Sequence, residues 1–473
     1  MKKFFKTLLV ALLLIPTCAW ADNGWNDAEY QRIEQSIQLP NIKQATKKYV
    51  ISAYGAKQNA SAAQNQKAIN KLIALVSKKG GGTVVIPKGT WRTGAIEMKS
   101  FVELNLEEGA VLQFAFEPKL YPLVRTAWEG LACWNYSPCI YAYKVSDIAI
   151  TGRGTIDGGG NNDTWWQWNG NPHFGYKEGV TKEHQKMGSR ARLQKMAEDG
   201  VPFDERKFGM GQGLRPQLVN FVRSERILIK DVKMINSPFW VMHPLLCKDI
   251  TVDGVTVWNE GPNGDGCDPE ACENVLIQNC IFHTGDDCIA IKSGKLGIEP
   301  ELRPATHDVL ISHCYMHDGH GAVVLGSEAA GGIKDLTVSK CLFERTDRGL
   351  RVKTRRGRGK DAVNEGITFE HIRMDKVLTP FVVNSFYFCD KDGKTDYVQS
   401  REALPVDDRT PGFGATTFCD IEATNCHAAA AYITGLPESK VTRLTFQDVH
   451  VTFAADAEPF VPAMACGDRK SVV

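Results

Sequence analysis

RILIKDVKM (226–234), DITVDGVTV (249–257), NVLIQNCIF (274–282), DVLISHCYM (308–316), DLTVSKCLF (335–343), GITFEHIRM (366–374), DIEATNCHA (420–428) and RLTFQDVHV (443–451) are eight forms of one nine-residue segment. The second, fourth, seventh and ninth residues are apolar in every copy, 32 of 32 positions in a chain that is 43% apolar, so a free choice of frame does not account for the pattern. Apolar residues two apart, a slip of three, then two apart again describe a short strand, a bend and a second short strand, both with one face inward. Successive copies start 23, 25, 34, 27, 31, 54 and 23 residues apart, the lengths of solenoid coils with loops inserted on some of them. Polar turn residues such as Asn279, Asn425 and Asp448 fall at the bend, and nothing helical lies between copies. The chain is therefore expected to be all-β, a right-handed parallel β-helix whose coils pair with those above and below at ~4.8 Å.

Stacking turns repeat positions into ladders. The seventh position predicts a column of Val232, Val255, Cys280, Cys314, Cys341, Ile372, Cys426 and Val449. Its cysteines read as small inward-facing side chains rather than metal ligands or bridges. Cys133 with Cys139 and Cys389 with Cys419 each bracket a loop-like stretch and are candidate disulfides. An open solenoid end would recruit other strands, so a cap is expected on the first coil. Residues 59–79 suit it: Asn59 or Ser61 can cap a helix, Ile69, Leu72, Ile73 and Val76 form one apolar stripe, and Gly80-Gly81-Gly82 stops it before a strand at 83–86. Two polar excursions, 159–215 and 389–419, interrupt the coils. Trp165, Trp166 and Trp168 in the first could bind sugar faces or simply pin the loop.

With 56 Lys+Arg against 55 Asp+Glu the chain has no overall basic excess, so no nucleic-acid partner is expected and any charged substrate is met locally. Lys2, Lys3 and Lys6 precede the apolar run 8–15, and Ala19-Trp20-Ala21 offers a cleavage site. This is the pattern of a signal peptide, with a run too short to span a bilayer. The chain divides on this reading into a signal peptide at 1–21, an extension at 22–48 and a β-helix catalytic domain at 49–473. Export to the periplasm or medium is expected, with no membrane span and a monomeric state. Lipid anchoring through Cys18 is disfavoured by its neighbours Pro16 and Thr17.

Aligning coils by the strand that follows sets GDGCDPE (264–270) over GDDCIAI (285–291) and over GHGAVVL (319–325). Asp265, Asp286 and His320 then share a column, Asp287 adjoins Asp286, and one coil further Arg351 and Lys353 extend the same face with Lys353 under Lys292. Polar ladders in solenoids are usually Asn or Ser. Three carboxylates together repel one another and raise a pKa, which a fold tolerates mainly where chemistry needs a protonated acid beside ionised ones. Such a pair is what glycoside hydrolysis uses, and the neighbouring cations imply an anionic sugar.

Asn263-Gly264-Asp265, Gly285-Asp286-Asp287, Gly319-His320-Gly321 and Arg351-Val352-Lys353, in this order and at these intervals, resemble the four motifs of glycoside hydrolase family 28, the polygalacturonases. The resemblance runs from about residue 50 to 460 and includes the cap helix and NSPFW (236–240). It implies hydrolysis of α-1,4 bonds in pectic galacturonans without metal or other cofactor. By it Asp286 is the general acid, Asp265 and Asp287 position the attacking water, His320 supports the acid, and Arg351 with Lys353 binds the substrate carboxylate; Asn263 and Lys292 join them as substrate-binding candidates. Gly264 and Cys267 replace the Thr and bulky apolar residue common in the first motif, which predicts a more pliable turn. Acids one coil apart, about 5 Å, fit retention by the general distance rule, whereas the family inverts. Inversion is what the resemblance implies, and water entering between two stacked acids would set the distance rule aside.

The two long excursions suggest a groove closed at one end, hence exo action. Rhamnogalacturonan or xylogalacturonan hydrolysis is the alternative within the family. A pectate lyase would need clustered calcium-binding acids and an Arg base, and a non-catalytic carbohydrate-binding β-helix would show no turnover.

Overall fold

The computed structural model describes residues 32–460 except 34, 43 and 459. The expected signal peptide and Cys18 lie outside the described residues. The chain is a right-handed parallel β-helix. One face stacks Glu225–Lys230, Lys248–Asp253, Glu273–Gln278, Thr306–Ser312 and Ile333–Ser339 in parallel register. Ile227, Ile250, Val275, Val309 and Leu336, the second residues of the repeat, form one buried column. The stack starts well before the recognisable repeat, through Lys48–Val50, Gly82–Ile86, Val102–Leu106 and Ser146–Gly152.

The bend is made at the sixth repeat position. Asp231, Gly254, Asn279, His313, Lys340, His371 and Asp448 all have φ between 50° and 66°, a left-handed conformation that turns the chain sharply between two strands. After it come Lys233–Ile235, Thr256–Asn259, Ile281–Thr284, Tyr315–His317 and Leu342–Glu344, again parallel. Their apolar residues Met234, Val257, Phe282, Met316 and Phe343 close the core from this side.

One copy of the repeat is displaced from its predicted frame. Ile367 pairs with Thr416, Ile372 with Ile421 and Met374 with Ala423, and Ile421 pairs with Val449. The seventh copy is therefore ATTFCDIEA (415–423), with Asp420 at its bend at φ 45°. Cys426 leaves the seventh-position column, where Ile421 stands, and lies opposite Phe453. Period-two patterns permit such a slip: Ile421 and Ala423 end one coil, while Cys426 and Ala428 continue the alternation beyond it.

The cap helix runs Ala62–Lys78 with Ser61 as its N-cap, in a reciprocal capping box with Gln64. Ile69, Leu72, Ile73 and Val76 are buried against the first coils. Cys133, Cys139, Cys389 and Cys419 are free thiols, contrary to the predicted bridges. Cys133 belongs to the buried cluster beneath the inserted hairpin, while Cys139 belongs to the solenoid core, so the two thiols serve different packing units. The Trp-rich excursion is pinned rather than presented: Trp165 and Trp168 are buried edge-on among Phe116, Tyr121 and Tyr136, and Trp166 Nε1 donates to Ser237 O at 2.8 Å.

Candidate active site

A third face carries the site. It stacks Val219–Val222, Met242–Leu245, Asp287–Ile291, Gly321–Gly326, Arg348–Lys353 and Thr379–Asn384. The coil between the second and third of these has no regular strand and is held by single bridges, Met242 to Cys267 to Ile289 and Leu245 to Glu270 to Lys292. Asp287 pairs with Gly321, so Asp286 and His320 are in register as predicted. Because Cys267 faces Ile289, Asp265 falls opposite Asp287, one residue from the predicted alignment.

The outcome is still one cluster: Asp265, Asp286 and Asp287 each place a carboxylate oxygen within 4.8 Å of the others. Their environments differ. Asp287 is fully buried, accepts from Lys353 Nζ at 2.6 Å and lies 3.4 Å from Arg351 Nη1. Burial alone would raise its pKa; Lys353 and Arg351 overcome that and hold it well below the usual carboxylate range. Asp265 is pushed strongly upward, by burial first and then by Asp268 and Asp286. Asp286 is the acid that reaches the cavity, its side chain 22% exposed. It accepts from the backbone N–H of Asp287 at 3.0 Å and pairs with His320 Nδ1 at 3.1 Å, a hydrogen bond that raises the imidazole pKa.

Of the predicted cations, Lys353 and Arg351 are committed to Asp287 and also lie over the Tyr387 ring. Lys292 is buried among Asp268, Glu328 and Asp265, at 3.3, 3.4 and 3.7 Å, with its ammonium 4.4 Å over the Trp240 ring. Asn263 lines the cavity, its Oδ1 accepting at 2.7 Å from Arg215, a buried guanidinium also bonded to the carbonyls of Pro238 and Pro262. Lys353 and Arg351 offset the charge of Asp287, and Lys292 part of the charge around Asp265. The turn at Gly264 is tight rather than pliable: a Cβ there would lie 2.6 Å from Gly261 O and 2.4 Å from Asn259 Nδ2.

Asp268 was not singled out in the sequence, although it lies within the GDGCDPE stretch. Burial pushes its pKa up to about 8 against the pull of Lys292. A raised carboxyl pKa means that the folded chain keeps a proton the unfolded chain releases near pH 4, so stability is lost as pH rises from about 4 to about 8. One such group contributes a slope of about 1.4 kcal/mol per pH unit in that window. Thermal unfolding between pH 4.5 and 8 is expected to show a falling midpoint in the wild type and a flatter one in Asp268→Asn; parallel curves would contradict this.

Three inserted segments roof the cavity, which measures about 280 Å³. Arg190, on the helix Ser189–Glu198 of the first excursion, donates to Glu129 Oε2 at 2.7 Å, in the turn of the hairpin formed by Leu123–Trp128 and Leu131–Tyr136, and lies 3.6 Å from Asp390 of the second excursion. Asp390 is in turn gripped by Arg358 at 2.9 Å, Lys295 at 3.2 Å and Arg355 at 3.3 Å. Sequence reasoning missed Arg190, Glu129 and Asp390 because no local pattern marks residues that meet only through long insertions.

A solenoid with three clustered acids, an imidazole bonded to one of them and flanking cations in a roofed cleft is an arrangement suited to glycoside hydrolysis. The comparisons agree: the sequence profile of glycosyl hydrolases family 28 matches residues 206–464, and the chain belongs to that family. It is 27% identical over 410 residues to a "Probable polygalacturonase" of Vitis vinifera, covering 83% of this chain and 72% of that one. It is 28% identical over 370 residues to an exo-poly-alpha-D-galacturonosidase of Dickeya chrysanthemi, covering 74% of this chain and 59% of the relative. A hyperthermoactive exopolygalacturonase from Thermotoga maritima superposes with a TM-score of 0.79 at 28% identity, covering 91% of this chain and 96% of the other.

Proposed function

We propose that this chain hydrolyses α-1,4 galacturonate linkages in pectic polysaccharide, from a chain end and with inversion. The observation that carries this reading is the split environment of the acids. Asp286, cavity-facing and bonded to His320, is placed to donate a proton to the leaving oxygen. Asp287, kept ionised by Lys353 and Arg351, and Asp265, one coil away, flank the position from which water attacks the anomeric carbon. Arg351 and Lys353 face the same cavity and supply positive charge for a substrate carboxylate. The roof that Arg190 ties to Glu129 and Asp390 over the cavity is compatible with a binding cleft of limited extent, as exo action requires. Two relatives with exo activity in their names, at 28% identity, support it further. Export through residues 1–21 is part of the same proposal; among the described residues no helix is long and apolar enough to cross a membrane.

The test is digestion of polygalacturonate and of rhamnogalacturonan, separately and with a chelator present. Saturated products of one small size from polygalacturonate, from the earliest times, are expected. A ladder of sizes would overturn the exo assignment, mixed oligomers from rhamnogalacturonan alone would move the substrate within the family, and conjugated unsaturated products would replace hydrolysis with elimination.

A further inference from the structure

On the outer surface of the solenoid, next to the turns that carry Asp286 and His320, lies a second cluster of titratable groups. His283 is the third residue of the strand Ile281–Thr284, and its register partner His317 ends Tyr315–His317 one coil away. Asp318 follows directly. His283 Nδ1 is 3.2 Å from His317 Nδ1, and both reach Asp318 Oδ2, at 3.1 and 2.9 Å. We infer that His283, His317 and Asp318 form a binding site for one divalent transition-metal ion of the zinc class, which staples the two coils together beside the catalytic turns.

Three independent features carry this. The first is size. With metal–nitrogen bonds of 2.0–2.1 Å, neighbouring ligand atoms stand about 2.9 Å apart at right angles and about 3.4 Å apart at the tetrahedral angle. The three edges of the triangle, 2.9, 3.1 and 3.2 Å, fall in that interval. The second is the outer partner of the histidine. His283 Nε2 lies 2.8 Å from Glu260 Oε1, and in the tautomer that donates Nε2–H to this carboxylate the near nitrogen, Nδ1, presents its lone pair to the triangle. A neutral His283 has one ring proton for two carboxylates, Glu260 and Asp318; a cation between Nδ1 and Oδ2 removes that shortage.

The third feature is pre-organisation. Trp258 stacks on the His283 ring at 3.9 Å and 23°, and Tyr315 on His317 at 4.9 Å and 21°, so His283 is held by its register partner on the preceding coil and His317 by a neighbour on its own strand. Arg345 fixes the carboxylate, Nε to Oδ1 at 3.0 Å and Nη2 to Oδ2 at 3.2 Å, and its charge moderates affinity while leaving Oδ2 a second lone pair. Two imidazoles and one carboxylate suit zinc, nickel or copper better than calcium or magnesium. Three protein ligands leave the remaining positions to water. The ion takes no part in hydrolysis; Thr284 Oγ1 bonded to Asp286 O at 2.8 Å is the mechanical link from this site to the catalytic turn.

Calorimetric titration of the metal-stripped full chain with Zn²⁺ tests it. One binding event near one equivalent is expected, with a raised unfolding temperature. His283→Gln with His317→Gln should abolish it, and Glu260→Gln, which keeps every ligand, should weaken it about 10- to 100-fold. Absence of saturable binding, or equal affinity in wild type and both variants, would overturn the assignment.

Discussion

Asp286→Asn is expected to slow release of reducing ends from polygalacturonate by a factor on the order of 10²–10⁴, the usual worth of a positioned general acid, with KM little changed. An amide has the shape and hydrogen-bonding reach of the carboxyl but no proton to give. Asp286 is also the least buried of the three acids and, among the described residues, makes no ion pair with Lys or Arg, so unfolding should be nearly unaffected. His320 loses the partner that raises its pKa, so its titration should move back toward the ordinary imidazole value. Kinetics, thermal unfolding and imidazole NMR titration on one preparation check all three expectations. A loss of activity accompanied by a large loss of stability would show that Asp286 holds the fold rather than the reaction.

Lys353→Met should act in the opposite balance. Asp287 and Lys353 are both buried, and of its two close cations Asp287 keeps Arg351, at 3.4 Å, once the ammonium is gone. Breaking a buried pair from one side leaves a desolvated charge and costs about 3–5 kcal/mol. The midpoint of denaturant unfolding should fall accordingly. Asp287 should regain a proton at higher pH, because burial, no longer opposed by the larger of its two cations, raises its pKa. Activity should drop with it and shift to higher pH. Adding Asp287→Asn should recover part of the stability but none of the activity. If the double variant is as unstable as Lys353→Met alone, the loss comes from packing of the lysine stem and not from the orphaned carboxylate.

The apolar spacing of the repeat is a direct projection of an inward face, which made the solenoid legible from Ile227 onward. Asp286 and His320 were legible for the same reason, since Asp287–Ile291 and Gly321–Gly326 are regular strands of similar pattern. The coil at 264–270 touches its neighbours only through isolated bridges, so sequence similarity of the motifs placed Asp265 one residue off. The coils before residue 226 fall within the expected β-helix domain but do not show as copies of the repeat, because their strands are spaced differently: Val102–Leu106 and Ala110–Phe114 are separated by a longer turn than the tight left-handed bend of the later coils. The roof was least legible. Arg190, Glu129 and Asp390 owe their meeting to loops whose paths no periodicity records.

The most direct measurement of the central claim is the initial rate of reducing-end release from polygalacturonate by wild-type protein and Asp286→Asn, at matched folded concentration and with chelator present. The stacked acids as a hydrolytic centre predict rapid release by the wild type and a loss of at least about a hundredfold in the variant. Equal rates, or no release by either, would contradict it.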